Sequence, residues 1–255
     1  MELKNAVAVV TGGASGLGEA SVRLLIENGA RAAILDVAEE RAARIVSELG
    51  SNVIFCKTDV TEEKSVQAAM DRTMEAFGAI SIALSCAGVA TPGKVIGREG
   101  PLSINIFNRV VQINLIGTMN VIRLAAQKML ANPPNKDGEK GVVINTASIA
   151  AFEGQVGQAA YSSSKAGVVG LTLPIAREFA DYGIRVVTIA PGVFWTPMLE
   201  GLPEKAKESL ANMMPFPKRL GKPAEYARLV KEIVENPMLN GETIRLDAAL
   251  RMAAK

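Results

Sequence analysis

Histidine is missing from the 255 residues altogether. The side chain that most often moves protons near neutral pH is therefore unavailable. Cysteine is scarce too: Cys56 and Cys86 are the only two, each inside an expected strand. They read as small buried hydrophobes in a reducing compartment, so no disulfide and no metal site is expected. Aromatic residues make up 4% of the chain against 49% hydrophobic residues in all. The core must therefore be aliphatic, which suits a parallel sheet buried on both faces. A strong charge of either sign is also absent. The formal net charge of +2 is too mild to imply nucleic acid or an anionic membrane surface as a partner. No apolar run is long and clean enough to span a bilayer. Met1 to Asn5 lead straight into an apolar strand, without a basic region and cleavage site, so no signal or transit peptide is expected. A bacterial cytoplasm is favoured, with a mature organellar protein as the alternative.

What is present is a regular alternation of strand and helix signals. Expected strands lie at 6–10, 32–35, 53–57, 80–86, 142–146, 184–189 and 243–246. Expected helices lie at 17–27, 39–49, 61–77, 107–131, 158–181 and 223–235, with Thr61 placed to cap the third. This βαβ rhythm predicts one parallel, doubly wound sheet. Two segments depart from it. Residues 89–106 read as an extended, glycine- and proline-containing loop. Residues 191–222 carry five prolines together with Phe194, Trp195, Met198, Leu199, Leu202, Met213, Met214 and Phe216. Apolar residues on a long loop after a strand suggest a substrate lid.

The first strand runs into Thr11-Gly12-Gly13-Ala14-Ser15-Gly16-Leu17-Gly18, which opens the first helix. Glycines at 12, 16 and 18 permit a tight turn and close backbone approach to a pyrophosphate, which the helix N-terminus favours through its dipole and free N–H groups. Asp36 ends the second strand, 18 residues beyond Gly18. A carboxylate there accepts bonds from adenosine ribose hydroxyls and repels a 2′-phosphate. Neither Ser15 nor Val37 is basic, so NAD is expected rather than NADP. Asp59 and Val60 end the third strand, where they could meet the adenine edge. Cys86, Ala87 and Gly88 end the fourth, where small residues let the backbone pass close to a cofactor.

Tyr161 and Lys165 stand four residues apart in an expected helix, with Ser148 thirteen residues upstream of Tyr161. That spacing puts phenol and ammonium on one face, about a turn apart. A phenol with a pKa near 10 cannot act as a base at neutral pH unassisted. The nearby ammonium is expected to lower it. Ser148 could orient a substrate oxygen. Without histidine, a Tyr–Lys pair is the natural proton-transfer device.

Taken in order, the glycine pattern, Asp36, Asp59, Ala87-Gly88, Asn114, Ser148, Tyr161, Lys165 and Pro191-Gly192 resemble the short-chain dehydrogenase/reductase family over essentially the whole chain. Segments 154–161, 173–177, 215–217, 223–226 and 239–247 narrow the resemblance to the type II 3-hydroxyacyl-CoA dehydrogenases, also described as multifunctional hydroxysteroid dehydrogenases. The resemblance implies an α/β fold: one Rossmann-like doubly wound NAD-binding domain over 1–255, with a seven-stranded parallel sheet, helices on both faces and a lid at about 191–222. It implies Tyr161 as general acid/base and Ser148 as the holder of the substrate oxygen. Lys165 would lower the Tyr161 pKa and bind the nicotinamide ribose. Asn114 would hold a water leading from Lys165 to solvent. Pro191, Gly192 and Val193 would border the cofactor, and Thr196 would meet its carboxamide. Gln155 and Gln158 would line the substrate side. Cys86, where many members have Asn, agrees with the narrower subgroup. Trp195 stands where a small residue is expected and would narrow the pocket or stiffen the lid. Ala248 stands where Gly is expected, and the loop at 94–106 is another departure.

The activity implied is reversible oxidation of a 3-hydroxyacyl-CoA by NAD, with the acyl-CoA as small-molecule partner. A steroid or other secondary alcohol fits the same site, and a scaffold role alongside catalysis is the reading of a different class. Helices 107–131 and 158–181 could pair across a two-fold axis, and the resemblance, to a family in which tetramers are usual, implies a homotetramer.

Overall fold

The computed structural model describes residues 1–98, 100–200 and 204–254, and only the backbone of 198, 200, 206, 207 and 209. Leu202 and Pro203 of the expected lid, and the side chains of Met198 and Lys207, lie outside the described residues.

Seven strands form one parallel sheet: β1 Val7–Thr11, β2 Arg31–Asp36, β3 Val53–Lys57, β4 Ile82–Ser85, β5 Gly141–Thr146, β6 Ile184–Pro191 and β7 Thr243–Leu246. Their order is β3-β2-β1-β4-β5-β6-β7, the doubly wound arrangement expected. The chain winds one way from β1 to β3 and the other way from β4 to β7. The crevice beyond the carboxyl ends of β1 and β4 is therefore the switch point where such sheets bind ligands. In register, Thr11 of β1 faces Leu35 of β2 and Ser85 of β4.

The crossing helices are α1 Gly16–Glu27, α2 Glu39–Leu49, α3 Glu63–Phe77, α4 Ile104–Val111, α5 Gly117–Met129, α6 Ala159–Phe179 and, after two short helices, α9 Pro223–Glu235. Successive strand residues point to opposite faces, and the core splits accordingly. Val10, Ile34, Leu84, Ile144 and Val187 pack with Val22, Leu25, Ile45, Tyr226 and Val230 of α1, α2 and α9. Val9, Leu35, Ala83, Val143 and Val186 pack with Val66, Met70, Ile122, Met129 and Ile175 of α3, α5 and α6. At the opposite end of the sheet from the crevice, Arg185 is buried with Glu139, Nε to Oε1 at 2.8 Å. The same guanidinium donates to the carbonyls of Ile233, Val234 and Leu239, which fastens α9 and its exit to the sheet.

Four local expectations change. Thr61 does not cap α3; its N–H and hydroxyl both go to Asp59 Oδ1, at 2.9 and 2.7 Å, and the helix begins at Glu63. The loop at 89–106 contains a small antiparallel hairpin, Ile96–Gly97 against Gly100–Pro101, and α4 starts at Ile104, before the loop's expected end. The 191–222 segment is not all loop. It holds α7 Pro197–Glu200 and α8 Glu204–Asn212, and a bridge between Phe194 and Gly221 closes its neck.

The long helix expected at 107–131 is interrupted. Residues Gln112–Ile116 take π-helical bonding between α4 and α5. Such one-turn bulges tend to mark functional sites, and Asn114 lies at the middle of this one.

Candidate active site

The carboxyl ends of β1 to β6 open onto one cleft of about 810 Å³. At β1 the chain turns sharply into α1. Gly12 sits at φ +63°, and a Cβ there would come within 2.8 Å of Ala87 N. At Gly18 a Cβ would meet Gly12 O at 2.3 Å. Any larger residue at either position would push the loop away from the β4 turn or from α1. Thr11 joins the same two turns: its hydroxyl accepts the N–H groups of Cys86 and Ala87, each at 3.2 Å. Ser15 makes no side-chain cap on α1. The N–H groups of Gly16, Leu17 and Gly18 meet no acceptor among the described residues. Free donors at a helix start suit a phosphate group.

Asp36 lies beside this loop at the end of β2. Oδ2 accepts the Ala14 N–H at 3.0 Å and Oδ1 accepts the Ala38 N–H at 2.9 Å. The carboxylate thus ties the glycine loop to the β2 exit while each oxygen keeps a lone pair for another donor. Asp59 and Val60 line the same end, and Cys86, Ala87 and Gly88 line the middle.

At the other end, Ser148, Tyr161 and Lys165 line one stretch of wall. The Ser148 hydroxyl accepts the Ala150 N–H at 3.1 Å, which holds the short turn after β5. Lys165 is buried, and its Nζ donates to the Thr146 carbonyl at 2.8 Å. It also lies 5.9 Å from the centre of the Tyr161 ring. Burial pushes the Lys165 ammonium down to about 8, and nearby Cys86 offsets part of this. Tyr161 departs from expectation. Burial raises its phenol above the ordinary value, and the Ser148 hydroxyl only partly offsets that. Desolvation outweighs every stabilising contact the protein itself offers the phenolate.

Asn114 does not line the cleft. Its amide bonds both ways with the Val89 backbone, Oδ1 accepting at 2.8 Å and Nδ2 donating at 2.9 Å. A second Nδ2 bond goes to Ser164 Oγ at 3.0 Å, which in turn donates to the Tyr161 carbonyl at 2.7 Å. Both amide hydrogens are used. The side chain braces the β4 exit against α6 beside Tyr161, leaving one Oδ1 lone pair for any water.

Pro191, Gly192, Val193 and Thr196 line the cleft, as does Gln158. Two expected substrate-side residues stand elsewhere. Gln155 turns its Nε2 to the Ala253 carbonyl at 2.9 Å, because the C-terminal segment runs beside it. Trp195 is 45% exposed and is not among the described residues of the cleft wall; its backbone N–H donates to Gly221 O at 2.8 Å at the neck of the 191–222 segment.

The family described as short chain dehydrogenase matches the chain over residues 6–207. The chain belongs to the short-chain dehydrogenase family. Such enzymes are oxidoreductases that use NAD or NADP. This short-chain dehydrogenase is 53% identical, over 98% of its length and 99% of the relative's, to the 3-hydroxyacyl-CoA dehydrogenase type-2 of Drosophila melanogaster. It is 54% identical to the protein of the same name from Homo sapiens, over 98% of this chain and 97% of that one. A crystal structure of 3-hydroxyacyl-CoA dehydrogenase type-2 from Mycobacterium avium superposes with a TM-score of 0.95 at 42% identity, covering 98% of both chains.

Sequence reasoning missed several parts of this dehydrogenase's site. Thr146 carries the carbonyl that holds Lys165, and its hydroxyl lies 2.7 Å from the fully buried Tyr226 hydroxyl. Tyr226 also meets Phe194 edge to face, 6.5 Å between ring centres. Met252 lines the cleft from the far end of the chain. Thr146 was findable, since it ends β5 just before Ser148. Met252 carried no local signal, because only tertiary folding brings it there.

Proposed function

We propose that this short-chain dehydrogenase oxidises the 3-hydroxyl of a 3-hydroxyacyl-CoA reversibly with NAD. The observation that carries the reading is a single cleft with Ser148, Tyr161 and Lys165 at one end and the glycine loop with Asp36 at the other. The names of its relatives support the substrate class. The cradle fits a dinucleotide: free N–H groups at the start of α1, a close-packed glycine turn, and a carboxylate at β2. Asp36 supports NAD over NADP through repulsion of a 2′-phosphate. When bound, NAD supplies the acceptor for the hydride leaving the substrate carbon.

The chain's own residues handle the proton. Ser148 holds the substrate oxygen beside the Tyr161 phenol. In the reduction direction Tyr161 donates its proton to that oxygen, and its raised pKa keeps the proton in place until then. In the oxidation direction it must accept the substrate proton as phenolate. The Lys165 ammonium and the Ser148 hydroxyl stabilise that anion against the burial that opposes it. Asn114 keeps the Tyr161 turn of α6 fixed against the β4 exit.

We take the chain as one oxidoreductase domain with residues 191–222 as its substrate lid, the neck at Phe194 and Gly221 setting the hinge. We also take the enzyme as a homotetramer. Ile116, Met119 and Leu173 are apolar and 41%, 37% and 45% exposed on the π turn, α5 and α6, which suits pairing of these helices. A monomer in light scattering across micromolar concentrations would refute the assembly.

The test of function is NADH absorbance with NAD and 3-hydroxybutyryl-CoA, run beside NADP and beside Tyr161→Phe. Turnover with NAD, much weaker with NADP and reduced by about 100-fold or more in Tyr161→Phe, is expected. NADH binding without turnover of any acyl-CoA would overturn the substrate class and leave the cofactor assignment standing.

A further inference from the structure

The C-terminal segment reaches the substrate end of the cleft by an abrupt reversal. After β7, Ala248 and Ala249 take φ of 52° and 62°, a region that residues with a Cβ rarely occupy. Strain of this kind persists only where the surroundings impose it. Here one carboxylate braces the turn: Asp247 accepts the Ala249 N–H at 3.1 Å and pairs with Arg245 at 2.7 Å. The reversal sends residues 250–254 back along the loop that follows Ser148.

That loop grips the segment at several points. Glu153 Oε2 accepts the Met252 N–H at 3.0 Å. Val156 N–H donates to Ala254 O at 3.1 Å, and Gln155 Nε2 to Ala253 O at 2.9 Å. Leu250 is buried in a small cluster with Ile149, the residue after Ser148, and with Met214 and Leu220 of the lid. Glu153 is itself held by Arg245 at 2.8 Å and Arg251 at 3.3 Å, and Arg245 keeps its carboxyl below the ordinary range. The gripped segment places Met252 in the cleft wall. A thioether side chain is flexible and polarizable, suited to apolar chains of varying shape.

We infer that residues 250–254 form a wall of the substrate end, that Met252 sets how large an acyl group is accepted, and that Glu153 is the residue that positions it. The inference rests on the functional reading above. It assigns specificity to a segment remote in sequence from the catalytic residues, and it gives the strained reversal at 248–249 a purpose.

The test is a substrate series, from 3-hydroxybutyryl-CoA to 3-hydroxyhexadecanoyl-CoA, with small and bulky hydroxysteroids and secondary alcohols in parallel. It is run on the full chain and on Met252→Ala, Met252→Trp and Glu153→Gln. The quantity read is the ratio of kcat/KM for long over short substrates. Met252→Ala should raise this ratio and Met252→Trp lower it, each by about tenfold, as removal or addition of apolar bulk does in a pocket. Glu153→Gln should move the ratio in the direction of Met252→Ala, through KM with kcat little changed, because it loosens the wall and leaves the reacting atoms alone. A purely structural role would lower activity on all sizes alike. Ratios within about twofold of the parent in all three variants would overturn the inference. A size-dependent shift seen only with steroids or alcohols would keep the wall and discard the acyl-CoA reading. A parent chain inactive on every class would sink both.

Discussion

Replacing Lys165 by methionine isolates what it costs the fold to bury a charge where chemistry needs one. Lys165 is 5% exposed, and burial is the main cause of its fall from 10.5 to about 8. Below about pH 8 both folded and unfolded chains carry the proton, and the folded state bears the whole penalty. Between about 8 and 10.5 the unfolded chain binds more protons, so this residue's contribution to stability rises with pH. Above 10.5 neither state is charged and the penalty is gone. At about 1.36 kcal/mol per pKa unit, the interval from 10.5 to about 8 corresponds to about 3 kcal/mol. Methionine keeps the length and apolar stem but removes the donor to the Thr146 carbonyl. That loss costs about 1–3 kcal/mol at every pH, so the pH dependence is the clean quantity. Urea melts of both proteins from pH 7 to 10.5 should show the parent gaining about 3 kcal/mol on Lys165→Met across the range. Tyr161, which burial also shifts, is present in both proteins and cancels to first order, while Cys86, coupled to Lys165, adds a smaller part to the difference. A difference flat to within about 1 kcal/mol, or one that moves against the parent as pH rises, would refute the buried-ammonium account.

Other substitutions probe other parts. Asp36→Ala should lower the NAD/NADP preference in kcat/KM by at least about tenfold through loss of the ribose acceptor; an unchanged preference would remove Asp36 from cofactor selection. The same variant leaves the Ala14 and Ala38 N–H groups without their carboxylate and should lower stability by about 1–3 kcal/mol in urea melts. Gly117→Ala would put a Cβ 2.6 Å from Val60 Cγ2. It should cost about 1–3 kcal/mol of stability and weaken NADH binding in a fluorescence titration, since Val60 lines the cleft. Ala248→Gly should raise stability by up to about 1 kcal/mol by relieving the left-handed backbone, with no gain if the surrounding contacts already hold that conformation without strain.

The fold was largely legible from periodicity and punctuation. Helices at 39–49 and 223–235 and strands at 53–57 and 243–246 fall on the expected residues, because apolar spacing, glycine stops and Pro223 mark them locally. The glycine loop and Asp36 were legible because strand, turn and acid follow one another at short range. What sequence could not show was set by long-range packing. The π turn at Asn114 answers to Val89 and Ser164, 25 and 50 residues away. The Tyr161 phenol answers to burial, which spacing from Lys165 does not report. Gln155 looked substrate-facing by position, and the C-terminal segment engages its side chain instead.

Ile149, Met214, Leu220 and Leu250 pack as a cluster apart from the two that flank the sheet. Substitutions among them should alter the mouth of the cleft, with Val193 the one cofactor-side residue that packs on them, while the glycine loop and the ends of β1 to β4 rest on other contacts. Two kinds of selection can therefore act on one molecule with little conflict. The seat stays fixed because glycine turns and strand ends permit few changes. The mouth is free to drift toward new substrates, since variation there draws on its own small reserve of packing.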